Sequence, residues 1–197
     1  MKHESRIIPL DLNNLSATEE RILDAIPGDG LKGDLAPVNV LGTLMHSNRL
    51  LGDFLNYWVT SKNVMSLSVR EQELIILRMG FHYASNYVWK HHIPVAREFG
   101  VSDEAIQTLQ NDSLPAGVFS ERELALLALC DEMVTTRNVG DAGWAAGKQQ
   151  LSDVDIIDLI HLISQYVLFA LTNNVFRVVV EKPLQDLPEL TRGKVAG

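Results

Sequence analysis

Residues 67–106 read LSVREQELIILRMGFHYASNYVWKHHIPVAREFGVSDEAI. This stretch contains two helix starts: Ser68 with Glu71 three residues later, and Ser102 followed directly by two carboxylates. A serine at such a start accepts a hydrogen bond from the first helical turn, and acidic side chains there favour the positive end of the helix dipole. Apolar residues after each start recur at helical spacing. The stretch therefore predicts helices joined by short links.

The same start signals recur along the rest of the chain. Ser16 with Glu19 and Ser120 with Glu123 repeat the pattern of serine and glutamate, and Ser152 is followed by two aspartates. No sustained alternation of apolar and polar residues indicates a strand. The sequence predicts an all-α protein. The predicted helices cover residues 17–26, 37–46, 48–61, 69–82, 85–99, 103–111, 121–137, 141–150 and 153–177.

Composition excludes several classes of function. The chain has 197 residues with a formal net charge of −8 and no Lys/Arg cluster, so the basic footprint of a nucleic-acid binder is missing. Cys130 is the single cysteine, which rules out an intrachain disulfide and a cysteine-cluster metal site. It follows Leu126 and Leu129 on an apolar face and is predicted to be an inert buried thiol. We expect one domain in a reducing compartment, without nucleic-acid partners.

Both ends of the chain are predicted to be arms. The segment 1–34 is expected to hold an N-terminal arm and the first helix, 35–180 the helical domain, and 181–197 an extended tail interrupted by Pro183 and Pro188. The N-terminal sequence lacks a secretory signal, and we expect a cytoplasmic location. The uncharged run 159–176 contains polar residues, so we expect a buried helix and no membrane partner.

Residues 67–106 resemble the carboxymuconolactone decarboxylase and alkylhydroperoxidase D-like superfamily. The likeness lies in a helix opening R-E-x-E-L, a link, a second helix with an aromatic pair and a histidine, and then Gly-Val-Ser before a third helix. The later stretches FSERELALLALCDEM and LSDVDIIDLIHLISQYVLFALTNNVF look like the rest of the same domain. The resemblance covers roughly residues 35–180 and implies an alkylhydroperoxidase D-like multi-helix domain.

The redox branch of that superfamily carries Glu, eleven residues, Cys, two residues, Cys, three residues, His. Counted from Glu73, the two cysteine positions fall on Ser85 and Val88, and the histidine falls on His92. Peroxide reduction in that branch needs a thiolate and a resolving thiol, which serine and valine cannot replace. Thiol peroxidase activity is therefore not expected from these positions.

The decarboxylase branch implies a different role for Glu73 and His92. There the resemblance implies a small acidic lactone that loses carbon dioxide and is reprotonated at carbon, without a cofactor. His92 would carry the proton, and Glu73 would orient it or titrate with it. The decarboxylase-like pattern often has a glutamate where this chain has Val88, which leaves the substrate and the reaction open.

Five further residues are candidates for substrate binding: Ser85, Asn86, Tyr87, Trp89 and Arg78. Ser85 and Asn86 would place backbone N–H groups of a helix start beside the site, which suits a carboxylate or an enolate oxygen. Arg78 would add a bidentate contact if it faces inward, and it would form a surface ion pair otherwise. The aromatic pair Tyr87 and Trp89 is expected by default to pack at a helix junction.

Simpler interpretations remain open for the histidines. Periodicity alone favours His92 as a hydrogen-bonded interior residue. His91 is expected to be exposed or at a subunit boundary, and His161 to be a hydrogen-bonded core residue. Adjacent histidines on a helix point about 100° apart and do not readily bind one ion, so no metal site is predicted.

These observations predict a cofactor-independent lyase that acts by Glu73 and His92 proton transfer on a small acidic organic molecule. The alternatives are a peroxidase-like homologue working with an external thiol, for which Cys130 would have to approach His92, and a non-catalytic small-molecule binder. The resemblance also implies a homo-oligomer, and we expect a trimer or hexamer.

Overall fold

The computed structural model describes residues 4–24 and 36–191. Its helices are α1 Ala17–Leu23, α2 Val38–Leu44, α3 Asn48–Val64, α4 Val69–His82, α5 Asn86–Glu98, α6 Asp103–Thr108, α7 Glu121–Thr136, α8 Asp141–Gly147 and α9 Asp153–Phe176. Short 3-10 helices span Met45–Ser47 and Lys182–Leu184. No β-strand occurs within these two ranges, so the all-α prediction is confirmed. The predicted boundary between residues 34 and 35, the last two positions of the predicted helix 17–26, and residues 192–197 of the predicted tail lie outside the described residues.

The helices begin where the serine signals place them. A serine side chain accepts a backbone hydrogen bond at the start of five helices: Ser16, Ser68, Ser102, Ser120 and Ser152. The helix ends are less well predicted. The predicted helix 103–111 ends at Thr108 and the predicted helix 141–150 at Gly147. A cap is decided by a few neighbouring residues, whereas a helix end depends on what the last turn packs against.

Helix α4 lies at the centre of the domain. Every residue from Gln72 to Phe81 is buried, and the helix packs against α5, α7 and α9. Ile75 and Leu77 are wholly inaccessible, and burying each such side chain stabilises the fold by about 1.5–3 kcal/mol. The three-residue link to α5 contains Ala84 in the left-handed region at φ 48°. This sharp turn lays α5 directly along α4.

The N-terminal segment packs across α2. The Leu10 amide donates to the Gly42 carbonyl at 3.0 Å, and the two backbones approach so closely that a side chain at Gly42 would collide with the Leu10 carbonyl oxygen. Farther toward the N-terminus, the Arg6 amide donates to the Phe176 carbonyl at 2.7 Å. The segment thereby joins α2 to the end of α9.

Helix α9 is long and apolar enough to cross a membrane by length and composition, and 50% of its most apolar window is buried within the chain's own fold. The remaining apolar residues form an exposed stripe at helical spacing, which we call the α9 stripe: Ile157, Ile160, Leu168, Leu171 and Val175. The helix predicted to be buried is therefore buried on one face and is apolar but exposed on the other.

The segment after α9 turns back over α5. The Leu190 amide donates to Asn86 Oδ1 at 2.9 Å, and Lys90 Nζ donates to the Gln185 carbonyl at 2.6 Å. Lys90 also lies 3.3 Å from the Glu189 carboxylate. These contacts hold residues 181–191 against the helix that carries both histidines.

Candidate active site

The structure brings Glu73 and His92 together. Glu73 lies in the first half of α4, within its buried stretch, and His92 lies at the middle of α5; Glu73 Oε2 is 2.6 Å from His92 Nδ1. The glutamate side chain is wholly buried, while 15% of the histidine side chain is exposed. The tight α4–α5 link makes this meeting possible, because it sets the two helices side by side.

Two residues from other helices complete the group around this pair. Tyr166 on α9 places its hydroxyl 3.2 Å from His92 Nε2, on the other side of the ring from Glu73. Lys62 on α3 places Nζ 3.7 Å from Glu73 Oε1. This distance allows an ion pair but is longer than a hydrogen bond. Four helices therefore contribute one ionisable side chain each.

The surroundings of Glu73, His92 and Tyr166 determine which of them carry a proton. Burial would raise the pKa of Glu73, but the charge and hydrogen bond of His92 together with the nearby charge of Lys62 outweigh it and hold this pKa below the ordinary value. Burial lowers the pKa of His92 although Glu73 acts in the opposite direction, and burial together with Glu73 raises the pKa of Tyr166. At neutral pH the pair is therefore a carboxylate and a neutral imidazole.

These protonation states fix the direction of the hydrogen bonds. His92 Nδ1–H donates to the Glu73 carboxylate, which leaves Nε2 as an acceptor for the Tyr166 hydroxyl. A neutral imidazole with its lone pair at Nε2 is a base, and a carboxylate behind it stabilises the imidazolium that forms when it takes up a proton.

His92 opens onto a cavity of about 390 Å³. Its wall is mostly apolar and aromatic, and it contains both neighbouring histidines. The lining residues are Ala36, Pro37, Val40, Trp58, Lys62, Tyr87, Val88, His91, His92, Val95, Tyr166, Phe169 and Asn173. A cavity of this size and character suits a small organic molecule.

A second histidine and carboxylate pair lies on the same wall. His91 Nε2 lies 2.5 Å from Glu181 Oε2, and the Tyr87 hydroxyl donates to Glu181 Oε1 at 2.7 Å. The backbone amides of Asn39 and Val40 donate to Glu181 and to the Tyr87 oxygen at 2.8 Å and 3.2 Å. The expectation that His91 is exposed or at a subunit boundary is wrong, because the residue is buried under the segment that carries Glu181.

Burial acts on this second group as well. It would raise the pKa of Glu181, but hydrogen bonds and charge from His91 hold this pKa below the ordinary value. Burial and the neighbouring Glu181 carboxylate raise the pKa of Tyr87, so this hydroxyl keeps its proton. The adjacent histidines point in different directions along α5, and each has its own carboxylate.

Of the five residues predicted to bind substrate, Tyr87 lines the cavity and the others have different surroundings. Ser85 is fully buried and its amide donates to the Gly80 carbonyl at 2.9 Å. Asn86 accepts from the C-terminal segment, as described above, and Trp89 is fully buried. The predicted anion seat at the start of α5 is therefore covered, since residues of the C-terminal segment lie there.

Arg78 faces away from the cavity. Its guanidinium forms a bidentate ion pair with Asp131, at 2.6 and 2.7 Å, and Nη1 donates to the carbonyls of Leu109 and Asn111. His82 also contacts Asp131 at 2.7 Å. The prediction that Arg78 contacts substrate is corrected: the residue joins α4 to α7 and to the loop after α6.

Three further predictions concern possible sites elsewhere. Cys130 is buried against Met79, as predicted, and burial raises the pKa of its thiol. His161 is exposed and contacts the Tyr57 hydroxyl at 2.5 Å, so the prediction of a core residue is wrong. Within residues 4–24 and 36–191, no group of three His, Cys, Asp or Glu side chains is arranged to hold a metal ion.

Sequence reasoning missed four side chains of the site: Lys62, Tyr166, Asn173 and Glu181. Tyr166 and Asn173 stand seven residues apart and share one face of α9, which helical spacing alone shows. Lys62 and Glu181 carry no local signal, because they reach the site only through tertiary packing.

No protein-family model and no curated protein matches the chain. A solved structure from Ralstonia eutropha JMP134, described as an alkylhydroperoxidase AhpD core and an uncharacterized peroxidase-related protein, aligns at TM-score 0.74 with 20% identity, over 92% of this chain and 95% of its own. An uncharacterized peroxidase-related protein from Silicibacter sp. TM1040 aligns at TM-score 0.73 with 13% identity, over 94% of this chain and 97% of its own.

A third solved structure is the debrominase Bmp8, as a cysteine-to-alanine variant in complex with 2,3,4-tribromopyrrole. It aligns at TM-score 0.70 with 15% identity, over 91% of this chain and 93% of its own. Likeness at these identities establishes the fold, and it agrees with the resemblance carried by residues 67–106. The chain therefore has the all-helical alkylhydroperoxidase D-like fold.

Proposed function

We propose that this protein is a cofactor-independent enzyme that transfers a proton to or from carbon in a small carboxylate-bearing molecule, as in a decarboxylase-type lyase. The observation that carries the proposal is the 2.6 Å contact between Glu73 and His92 at the wall of a mostly apolar cavity. A base and its orienting carboxylate in a site partly closed to water are the elements of general acid–base catalysis.

The residues of the site suggest a role for each group. Lys62 is the cation on the cavity wall and would pair with the substrate carboxylate. His92 Nε2 would exchange a proton with the reacting carbon, while Glu73 stabilises the imidazolium. The Tyr166 hydroxyl, whose pKa is raised, would keep its proton and donate a hydrogen bond to a developing enolate oxygen.

A decarboxylation balances with these groups. The bond between the carboxylate and the α-carbon breaks, carbon dioxide leaves, and the electron pair stays on carbon in conjugation with a neighbouring carbonyl. Imidazolium at His92 then gives its proton to that carbon and recovers a proton from water. A bound substrate anion favours the imidazolium form, because a nearby negative charge raises the pKa of a histidine.

Thiol peroxidase chemistry has less support. Cys130 contacts Met79 between α4 and α7 and is fully buried, and burial raises the pKa of its thiol. The thiolate that attacks peroxide is disfavoured in such surroundings. Some structural neighbours are described as peroxidase-related, but that description applies to those proteins. This chain has Ser85 and Val88 in the two cysteine positions of the redox pattern.

The test of the proposed function is carbon–hydrogen exchange and carbon dioxide release from a panel of small β-keto acids and unsaturated lactone acids. We expect His92→Asn and Glu73→Gln to lower turnover by about 100-fold or more. His161→Asn, an exposed histidine outside the cavity, is the matched control and should keep full turnover. A His92→Asn variant with wild-type turnover would support a non-catalytic binder instead.

The α9 stripe supports the expected homo-oligomer. Its apolar side chains are between 38% and 54% exposed, and subunit contacts commonly cover such surfaces. We propose that copies of the chain associate through this stripe, as a trimer or hexamer. Light scattering should give a multiple of 21.9 kDa for the wild-type protein and a lower mass for Ile160→Lys. A wild-type monomer at micromolar concentration contradicts the proposal.

A further inference from the structure

Asn173 has a buried amide that no side chain or backbone group of the described residues satisfies. The residue is 4% exposed, and neither Nδ2 nor Oδ1 has a hydrogen-bond partner within residues 4–24 and 36–191. Yet Asn173 lines the cavity that His92 opens onto. Buried polar groups in native proteins nearly always have partners, so an orphan donor beside an orphan acceptor at a cavity wall indicates a ligand.

The position of Asn173 within the cavity follows from helix geometry. Tyr166, Phe169 and Asn173 share one face of α9, and the seven residues from the tyrosine to the asparagine span about 10 Å along the helix axis. Helices α5 and α9 run antiparallel: Tyr166 meets His92, whereas Asn174 Nδ2 donates to the Tyr83 carbonyl at 2.6 Å. Asn173 therefore lies toward the Tyr87 end of α5, away from the reactive end.

The charges differ between the two ends. Lys62 lies beside Glu73 at the reactive end and favours a substrate anion there. Glu181 and Tyr87 lie at the other end, where the carboxylate disfavours a second anion. The rest of the lining is mostly apolar and includes Val40 and Val88.

We propose that Asn173 recognises a neutral group on the substrate that pairs a hydrogen-bond donor with an acceptor, such as a carboxamide or a carbonyl beside a hydroxyl. The substrate is then an elongated molecule with its carboxylate near Lys62, an apolar or aromatic middle, and this neutral polar group about 10 Å away. The inference rests on the proposed function, because it takes the reacting end of the substrate from Glu73 and His92.

The test compares two probes that differ in one group. 4-(4-Carbamoylphenyl)butanoate carries a carboxylate and a carboxamide at the two ends of a ring and a three-carbon chain, which matches the proposed spacing, and 4-(4-isopropylphenyl)butanoate replaces the carboxamide by an apolar group of similar shape. Calorimetry measures the affinity of each probe for wild type and for Asn173→Leu. We expect wild type to prefer the carbamoyl probe by about tenfold, and the leucine variant to lose or reverse this preference.

Two controls keep the test specific. Asn174→Leu changes the neighbouring amide, which is exposed and outside the cavity, and should keep the wild-type preference. The urea midpoint of Asn173→Leu should equal or exceed that of wild type, because the variant removes a buried amide without a partner. A clearly lower midpoint would show that the amide has a partner in the folded chain, and would overturn the proposal.

The proposed function and this inference can fail separately. A leucine variant that keeps the carbamoyl preference, or a wild-type protein that binds neither probe, overturns the role of Asn173 while the His92 turnover test stands. His92→Asn should retain the probe preference, since the two residues lie at opposite ends of the cavity. If His92 proves unnecessary for turnover and the preference still depends on Asn173, the binding inference stands and the catalytic one falls.

Discussion

Replacing Arg78 by methionine should destabilise the fold and leave the cavity unchanged. The side chain is 1% exposed, and it makes two contacts to Asp131 and two hydrogen bonds to backbone carbonyls. Removing one partner of a buried ion pair costs about 3–5 kcal/mol. Because the Asp131 side chain is 28% exposed and keeps its contact with His82, we expect a loss near the lower limit, about 3 kcal/mol.

Urea unfolding followed by circular dichroism measures this loss. At a slope of about 2–3 kcal/mol per molar urea, the midpoint should fall by about 1 M or more. Arg97→Met is the matched control, since Arg97 and its partner Asp103 are 43% and 72% exposed and such surface pairs contribute about 1 kcal/mol or less. Equal midpoints for the two variants would refute the reasoning, and a stable Arg78→Met variant that no longer binds small anions would restore the substrate role expected from the sequence.

Three further predictions use the close packing and the burial described above. Gly42→Ala should lower the free energy of unfolding by about 1–3 kcal/mol through its backbone collision, whereas Gly52→Ala, whose added carbon would lie 3.7 Å from its nearest neighbour, should be neutral or stabilising in urea unfolding. The Cys130 thiol should react with an aromatic disulfide reagent no faster than the protein unfolds, and rapid modification of the native protein contradicts its burial. Ring-proton NMR, with the signal assigned by His92→Asn, should show that His92 titrates with a pKa below 6.5. Because the pKa is lowered in the folded state, this histidine contributes stability above its unfolded-state pKa, and that stability is lost as the pH falls through its folded-state pKa. A titration midpoint above pH 6.5 contradicts this.

The sequence predicts the fold well because the deciding signals are local. Each capping serine acts within one helical turn, so Ser68 and Ser120 identify helix starts without any tertiary information. The pairing of Glu73 with His92 is implied by the family resemblance, and the structure brings the two residues together across the short α4–α5 link. The all-α class follows from local signals, and the central pair follows from the family resemblance.

The rest of the site depends on packing that spacing does not encode. Arg78 lies five positions after Glu73, which places the two about 140° apart around α4, and a helix buried on all sides gives no sign of which face meets the cavity. The surroundings of His91 are equally hard to predict, because its partner Glu181 lies 90 positions later in the chain. Such contacts are decided when the segment after α9 folds over α5.

The contact between Glu181 and His91 has a consequence for biosynthesis. Helices α4 and α5 leave the ribosome well before Glu181, because the carboxylate that closes their outer wall lies 90 positions after His91. A nascent or prematurely terminated chain can therefore assemble the helical body with His91 uncovered. Competence to hold a small molecule in this cavity is therefore acquired only after the segment that carries Glu181 has been translated.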